Sequence, residues 1–96
     1  MKKHQKIPQN IIQCLWSYDP RSVDLRADKE LIITQVLNFG SWQDLQWLLK
    51  IYSSEDIRAA VTSPRRGRWT PQTLNYWTLK LAIHLPQPTY QKAILR

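Results

Sequence analysis

The residues of this chain best suited to chemistry are Arg65, Arg66 and Arg68, set beside Gly67 and Trp69 between Pro64 and Pro71. Guanidinium groups present forked donors that match carboxylates and phosphates. An indole beside them offers a flat apolar surface for stacking or for burial against a partner. Proline disfavours helix at the residue before it and glycine loosens the backbone, so this stretch reads as a loop between two helices. The chemistry is recognition of an anion, carried by a nucleic acid or by an acidic protein. Trp47 and Tyr76 are the second choices for partner contact.

Other chemistries lack their residues. His4 and His84 are the two histidines and Cys14 the single cysteine, and no pair has metal-ligand spacing. His84 suits a helix C-terminus. Cys14 lies among Ile11, Ile12 and Leu15, where a structural thiol belongs. Asp19, Asp24, Asp28, Glu30, Asp44, Glu55 and Asp56 all fall at turns or in first helical turns, and none is set beside a base or cation for acid–base work. Gly40 and Gly67 alone build no phosphate-cradling loop. The expectation is a protein that is not an enzyme and uses no metal and no cofactor.

Composition narrows the setting. The chain has 96 residues, enough for one core. Its 14 Lys and Arg against 7 Asp and Glu leave a formal charge of +7, a field that draws phosphate polymers or acidic proteins. One cysteine excludes an intramolecular disulfide and fits a reducing cytoplasm. No apolar run approaches the ~20 residues that span a bilayer. The stretch 11–16 is too short and too polar for a signal-peptide core. A cytoplasmic protein without a membrane partner is expected.

The elements that must position the arginines are helical. From Pro8, Ile11, Ile12, Leu15 and Trp16 fall at helical spacing, and Asp19-Pro20 ends that pattern. Over 28–39, Leu31, Ile32, Val36 and Phe39 share a face that Ile33 and Leu37 widen, and Gly40 marks the C-terminal cap. Ser41 with Asp44 resembles a capping box for the next helix, whose buried stripe is Trp42, Leu45, Leu48, Leu49 and Tyr52. Trp47 lies off that stripe. Ser53 or Ser54 caps a helix over 55–61, with Ile57, Ala60 and Val61 inward.

After the arginine loop, Thr70-Pro71 is a strong helix start. That helix is expected to run to His84 or Leu85. Leu74, Trp77, Leu81 and Leu85 form one apolar face, and Tyr76, Leu79 and Ile83 form another. Such a helix is either central or shows its second face to a partner, and a homodimer would suit it. The fold class is all-α: a compact bundle of about five short helices over residues 8–88, after a basic flexible tail 1–7. Residues 89–96 form a tail that Tyr90, Ile94 and Leu95 could pack as a further helix.

The helices over 41–52 and 55–61 have the size of a helix-turn-helix pair. The second offers Arg58 for base reading, but Glu55 and Asp56 would repel phosphate. The loop arginines could hold phosphates with Trp69 stacked on a base. A DNA- or RNA-binding domain, acting as an autorepressor, is therefore the alternative to a protein-binding one. The aromatic residues Trp42, Trp47, Trp69, Tyr76 and Tyr90 exceed what one small core needs, which favours a protein partner.

A family likeness points the same way. Leu15-Trp16, Asp19-Pro20 and Asp24-Leu25 begin it, followed by Ile32, Ile33, Val36, Leu37 and Gly40. Leu45, Leu48, Leu49, Tyr52 and Ile57 continue it, and Thr70-Pro71 with Thr73-Leu74-Asn75-Tyr76-Trp77 closes it. With these residues the chain resembles small bacterial proteins encoded beside AbiEii-type nucleotidyltransferase toxins. The resemblance runs from about Leu15 to Trp77; the basic tail and Pro86-Gln87-Pro88 lie outside it. It implies an antitoxin or accessory protein of a toxin–antitoxin or phage-defence pair that binds and restrains the transferase. The cationic loop would then pair with acidic carboxylates at the toxin's site.

Overall fold

The computed structural model describes Ile11, Gln13, Leu15 and residues 23–95. Among these residues the fold is an all-α bundle of five helices: α1 (Lys29–Phe39), α2 (Trp42–Ile51), α3 (Ser54–Thr62), α4 (Pro71–Lys80) and α5 (Gln87–Ala93). The basic tail 1–7 lies outside the described residues. So does most of the first expected helix, of which Ile11 and Leu15 are fully buried in the core.

The central element is α1. Its residues Leu31 to Val36 are buried consecutively, which is more than one helical face. Thr34 is carried inside at little cost because its Oγ1 donates to the Glu30 carbonyl at 2.7 Å. Both α2 and α3 pack on α1, and α4 packs on α3. The helix-turn-helix-like pair thus consists of α2 and α3, joined by Tyr52 and Ser53.

Local chemistry sets each boundary. Ser41 Oγ accepts from the Asp44 N–H at 3.2 Å while Asp44 Oδ2 accepts from the Ser41 N–H at 2.8 Å, a complete capping box. Ser53 and Asp56 repeat it at the start of α3. Thr70 Oγ1 accepts from the Thr73 N–H at 3.2 Å, with Pro71 at the first helical position. Gly40 follows α1 with an extended backbone. Glycine is needed there for space, since a Cβ would stand 2.7 Å from the Val36 carbonyl oxygen.

Two expectations are corrected. Helix α4 ends at Lys80, not at His84 or Leu85. Ala82 takes a left-handed φ of 54°, the Ala82 N–H donates to the Leu79 carbonyl, and the Ile83 N–H donates to the Thr78 carbonyl at 2.8 Å. This is a Schellman ending with alanine where glycine is usual, so no residue type announced it. In α2, Asp44 and Leu48 are buried, and Ile51 continues their face against the core. That phase turns Trp42 and Leu49, seven residues apart, outward, and brings Trp47 against the core instead.

The interior has two joined clusters. Ile11, Leu15, Ile32, Ile33, Val36, Leu48, Tyr52, Ile57 and Ala60 form the first. Val61, Trp69, Leu74, Trp77 and Ala93 form the second. Leu37, Leu45 and Leu81 border both and make the core continuous. Helix α5 belongs to this core through Ala93, so the chain after residue 88 is part of the folded unit.

Candidate docking surface

The loop from Ser63 to Trp69 is held by backbone pairing. The Gly67 N–H donates to the Lys92 carbonyl at 2.8 Å and the Trp69 N–H to the Ala93 carbonyl at 2.9 Å. The Leu95 N–H donates to the Trp69 carbonyl at 2.8 Å. Trp69 and Ile94 thereby form one isolated parallel bridge. Gly67 turns the chain with φ 69°, a conformation that favours glycine. The Thr70 N–H donates to Asn38 Oδ1 at 2.9 Å, and Asn38 Nδ2 donates to the Thr34 carbonyl at 2.7 Å. The loop is thus tied to α1 on one side and to the segment 92–95 on the other.

Pairing at Gly67 and Trp69 leaves Arg65, Arg66 and Arg68 exposed. It turns Trp69 inward. This is a correction: Trp69 is 0% exposed and anchors the second cluster. It cannot stack on a base or insert into a partner in this conformation. Its Nε1 has no hydrogen-bond partner among the described residues. The apolar gain of enclosing an indole outweighs that lost bond.

Of the other expected contacts, Tyr76 is presented and Trp47 is not. Tyr76 is 56% exposed and leans edge-on against Trp77, with ring centroids 5.3 Å apart. Leu79, one turn on, is 83% exposed. Tyr76 and Leu79 of the expected second apolar face therefore point away from the core, whereas Ile83, beyond the end of α4, packs against the second cluster. Trp47 is half-buried against the first cluster. Trp42 and Leu49, assigned to the buried stripe, are 68% and 51% exposed and form an outward face of α2.

The helix-turn-helix residues are committed elsewhere. Arg58 Nη1 donates to the Leu81 carbonyl at 2.8 Å and so closes the end of α4. At the start of α3, Asp56 pairs with Lys29 at 2.9 Å, and the hydrogen bond from Lys29 holds its carboxyl below the usual range. Tyr52, buried between α1 and α3, donates its hydroxyl to the Leu25 carbonyl at 2.6 Å. Burial, followed by the charges of Asp24, Asp56 and Asp28, pushes the Tyr52 pKa up to about 12.

The charges are segregated along the chain. All 7 carboxylates lie between Asp19 and Asp56, and no acid follows. Beyond Asp56 come Arg58, the three loop arginines, Lys80, Lys92 and Arg96. This run was readable in the sequence and extends the basic stretch well beyond the loop. The exposed face of α2 gave no such signal, because its residues are apolar like the core. Among the described residues no group of three or more potential ligands could hold a metal, and no helix is long and apolar enough to cross a membrane.

The chain belongs to a family of unknown function, DUF6922, whose model matches residues 12–61. The match covers α1, α2 and nearly all of α3, and stops just short of the arginine loop. No curated protein and no solved structure matches the chain.

Proposed function

We propose that this DUF6922 member is a small interaction protein that docks on an acidic protein surface. The loop arginines supply the charge, and Tyr76 and Leu79 of the following helix supply apolar contact. The partner that fits its resemblance is a nucleotidyltransferase toxin, restrained by occupation of its acidic site. The observation that carries this reading is a cationic loop without acidic side chains followed at once by a helix that exposes Tyr76 and Leu79. A charged rim beside aromatic and aliphatic anchors is the anatomy of a protein interface.

The same observations count against sequence-specific nucleic-acid binding. Trp69 is enclosed, Arg58 is occupied by the end of α4, and Glu55 and Asp56 flank the start of α3. What remains for a nucleic acid is phosphate contact alone.

Charge reversal tests the proposal. Both Arg65→Glu and Arg66→Glu sit at exposed positions, so the double variant keeps its helical circular dichroism and melting temperature. Its affinity for an AbiEii-type nucleotidyltransferase is expected to fall at least a hundredfold in a titration, equivalent to about 2.8 kcal/mol. Unchanged affinity in a folded double variant would refute it.

A further inference from the structure

We infer that the docking surface is composite: the segment 92–95 acts as a strap that fixes the arginine loop and adds Lys92 to it, forming a preorganised site for a cluster of carboxylates. The inference rests on the docking role proposed above and extends it to residues outside the loop.

Three backbone hydrogen bonds of 2.8–2.9 Å join the two segments. One of them runs from Gly67 to the Lys92 carbonyl, so Lys92 lies directly across from the residue that follows Arg66. Adjacent paired segments lie about 5 Å apart, well inside the Debye length of about 8 Å at physiological salt. The cations of both segments therefore act on a bound anion together. No Asp or Glu follows Asp56 in the sequence, so neither segment carries an acidic side chain of its own. The strap is anchored in turn by Ala93, which is buried against the second cluster beside Trp69.

Preorganisation is the physical point. A free loop must be ordered when it binds, and that entropy is subtracted from affinity. Here the bonds at Gly67 and Trp69 hold the backbone on both sides of Arg68 before any partner arrives. Two carboxylates spaced like neighbouring acidic side chains could then meet Arg66 and Lys92 together.

The strap and the surface are tested separately, so that failure of one is not mistaken for failure of the other. Leu95→Pro removes the N–H that bonds the Trp69 carbonyl, at an exposed position. Limited trypsin digestion without any partner then reads loop order, since cleavage follows local opening. Cleavage after Arg66 is expected to quicken about fivefold with helical circular dichroism unchanged. An unchanged rate overturns the strap.

The surface is probed with poly-L-glutamate and with oligothymidine of equal charge. Lys92→Glu is expected to weaken poly-L-glutamate binding about as much as Arg66→Glu, roughly fivefold. Lys50→Glu, the same charge change on α2, is expected to alter it less than twofold. Equal effects of Lys92→Glu and Lys50→Glu would mean that only net charge matters, and would overturn the composite site. Tighter binding of oligothymidine would overturn the assignment to carboxylates. Absence of any poly-L-glutamate binding would overturn both the site and the docking role beneath it, whatever the trypsin result.

Discussion

At the scale of single residues, two positions with positive φ carry opposite residue choices. Gly67 has the left-handed φ that glycine accepts, and Ala82 has one that alanine accepts at a cost. Ala82→Gly should therefore stabilise the fold by about 0.5–1 kcal/mol, and Gly67→Ala should destabilise it by about 1 kcal/mol. Urea midpoints of the two variants, moving in opposite directions, would confirm the assignment. Tyr52 gives a pH signature. Its folded-state pKa of about 12 lies above the ordinary 10, so its contribution is full below pH 10 and is lost as pH rises through 12. The stability advantage of the native protein over Tyr52→Phe should hold to about pH 10 and shrink by pH 12. A difference that stays constant through pH 12 would contradict the burial of this hydroxyl.

At the scale of elements, the caps do most to place the site. Thr70 starts α4 while its backbone N–H holds Asn38 on α1. Thr70→Ala should cost about 1 kcal/mol, seen as a lower thermal midpoint. Gly40→Ala should cost about 1–3 kcal/mol, because the obstructing atom is the Val36 carbonyl and backbone cannot step aside. These elements were largely legible in the sequence. Ser41 with Asp44, Ser53 with Asp56 and Thr70-Pro71 name their helices by side-chain chemistry that acts within one turn. What was not legible depends on distant contacts. Trp69 looked like a binding residue because its neighbours are arginines, yet its inward turn is set by residues 92–95. Trp42 and Leu49 share the composition of a buried stripe, and only the packing of α2 on α1 decides that they face out. The end of α4 depends on the Arg58 guanidinium reaching the Leu81 carbonyl from another helix.

At the scale of the whole molecule, the chain has two parts of different charge within one continuous core. The part matched by the family model holds every described Asp and Glu and all of the first hydrophobic cluster except Ile11. The remainder is acid-free, contributes most of the second cluster, and carries the arginine loop with the exposed face of α4. The first half thus reads as the scaffold and the second as the surface it displays. Trp69 is the largest fully buried side chain and centres the second cluster. Trp69→Ala should cost about 3–5 kcal/mol and release the loop, so its loss of fold would be visible as a collapse of the thermal transition. Docking on an acidic protein and binding of phosphate are separated by the salt dependence of binding. A purified AbiEii-type nucleotidyltransferase and a DNA duplex are titrated with the protein across about 50–200 mM salt, a range over which multiple phosphate contacts lose several orders of magnitude in affinity. The protein partner is expected to stay bound at the upper end while the duplex is released. A duplex bound tightly at that salt, with no affinity for the transferase, would contradict the docking role.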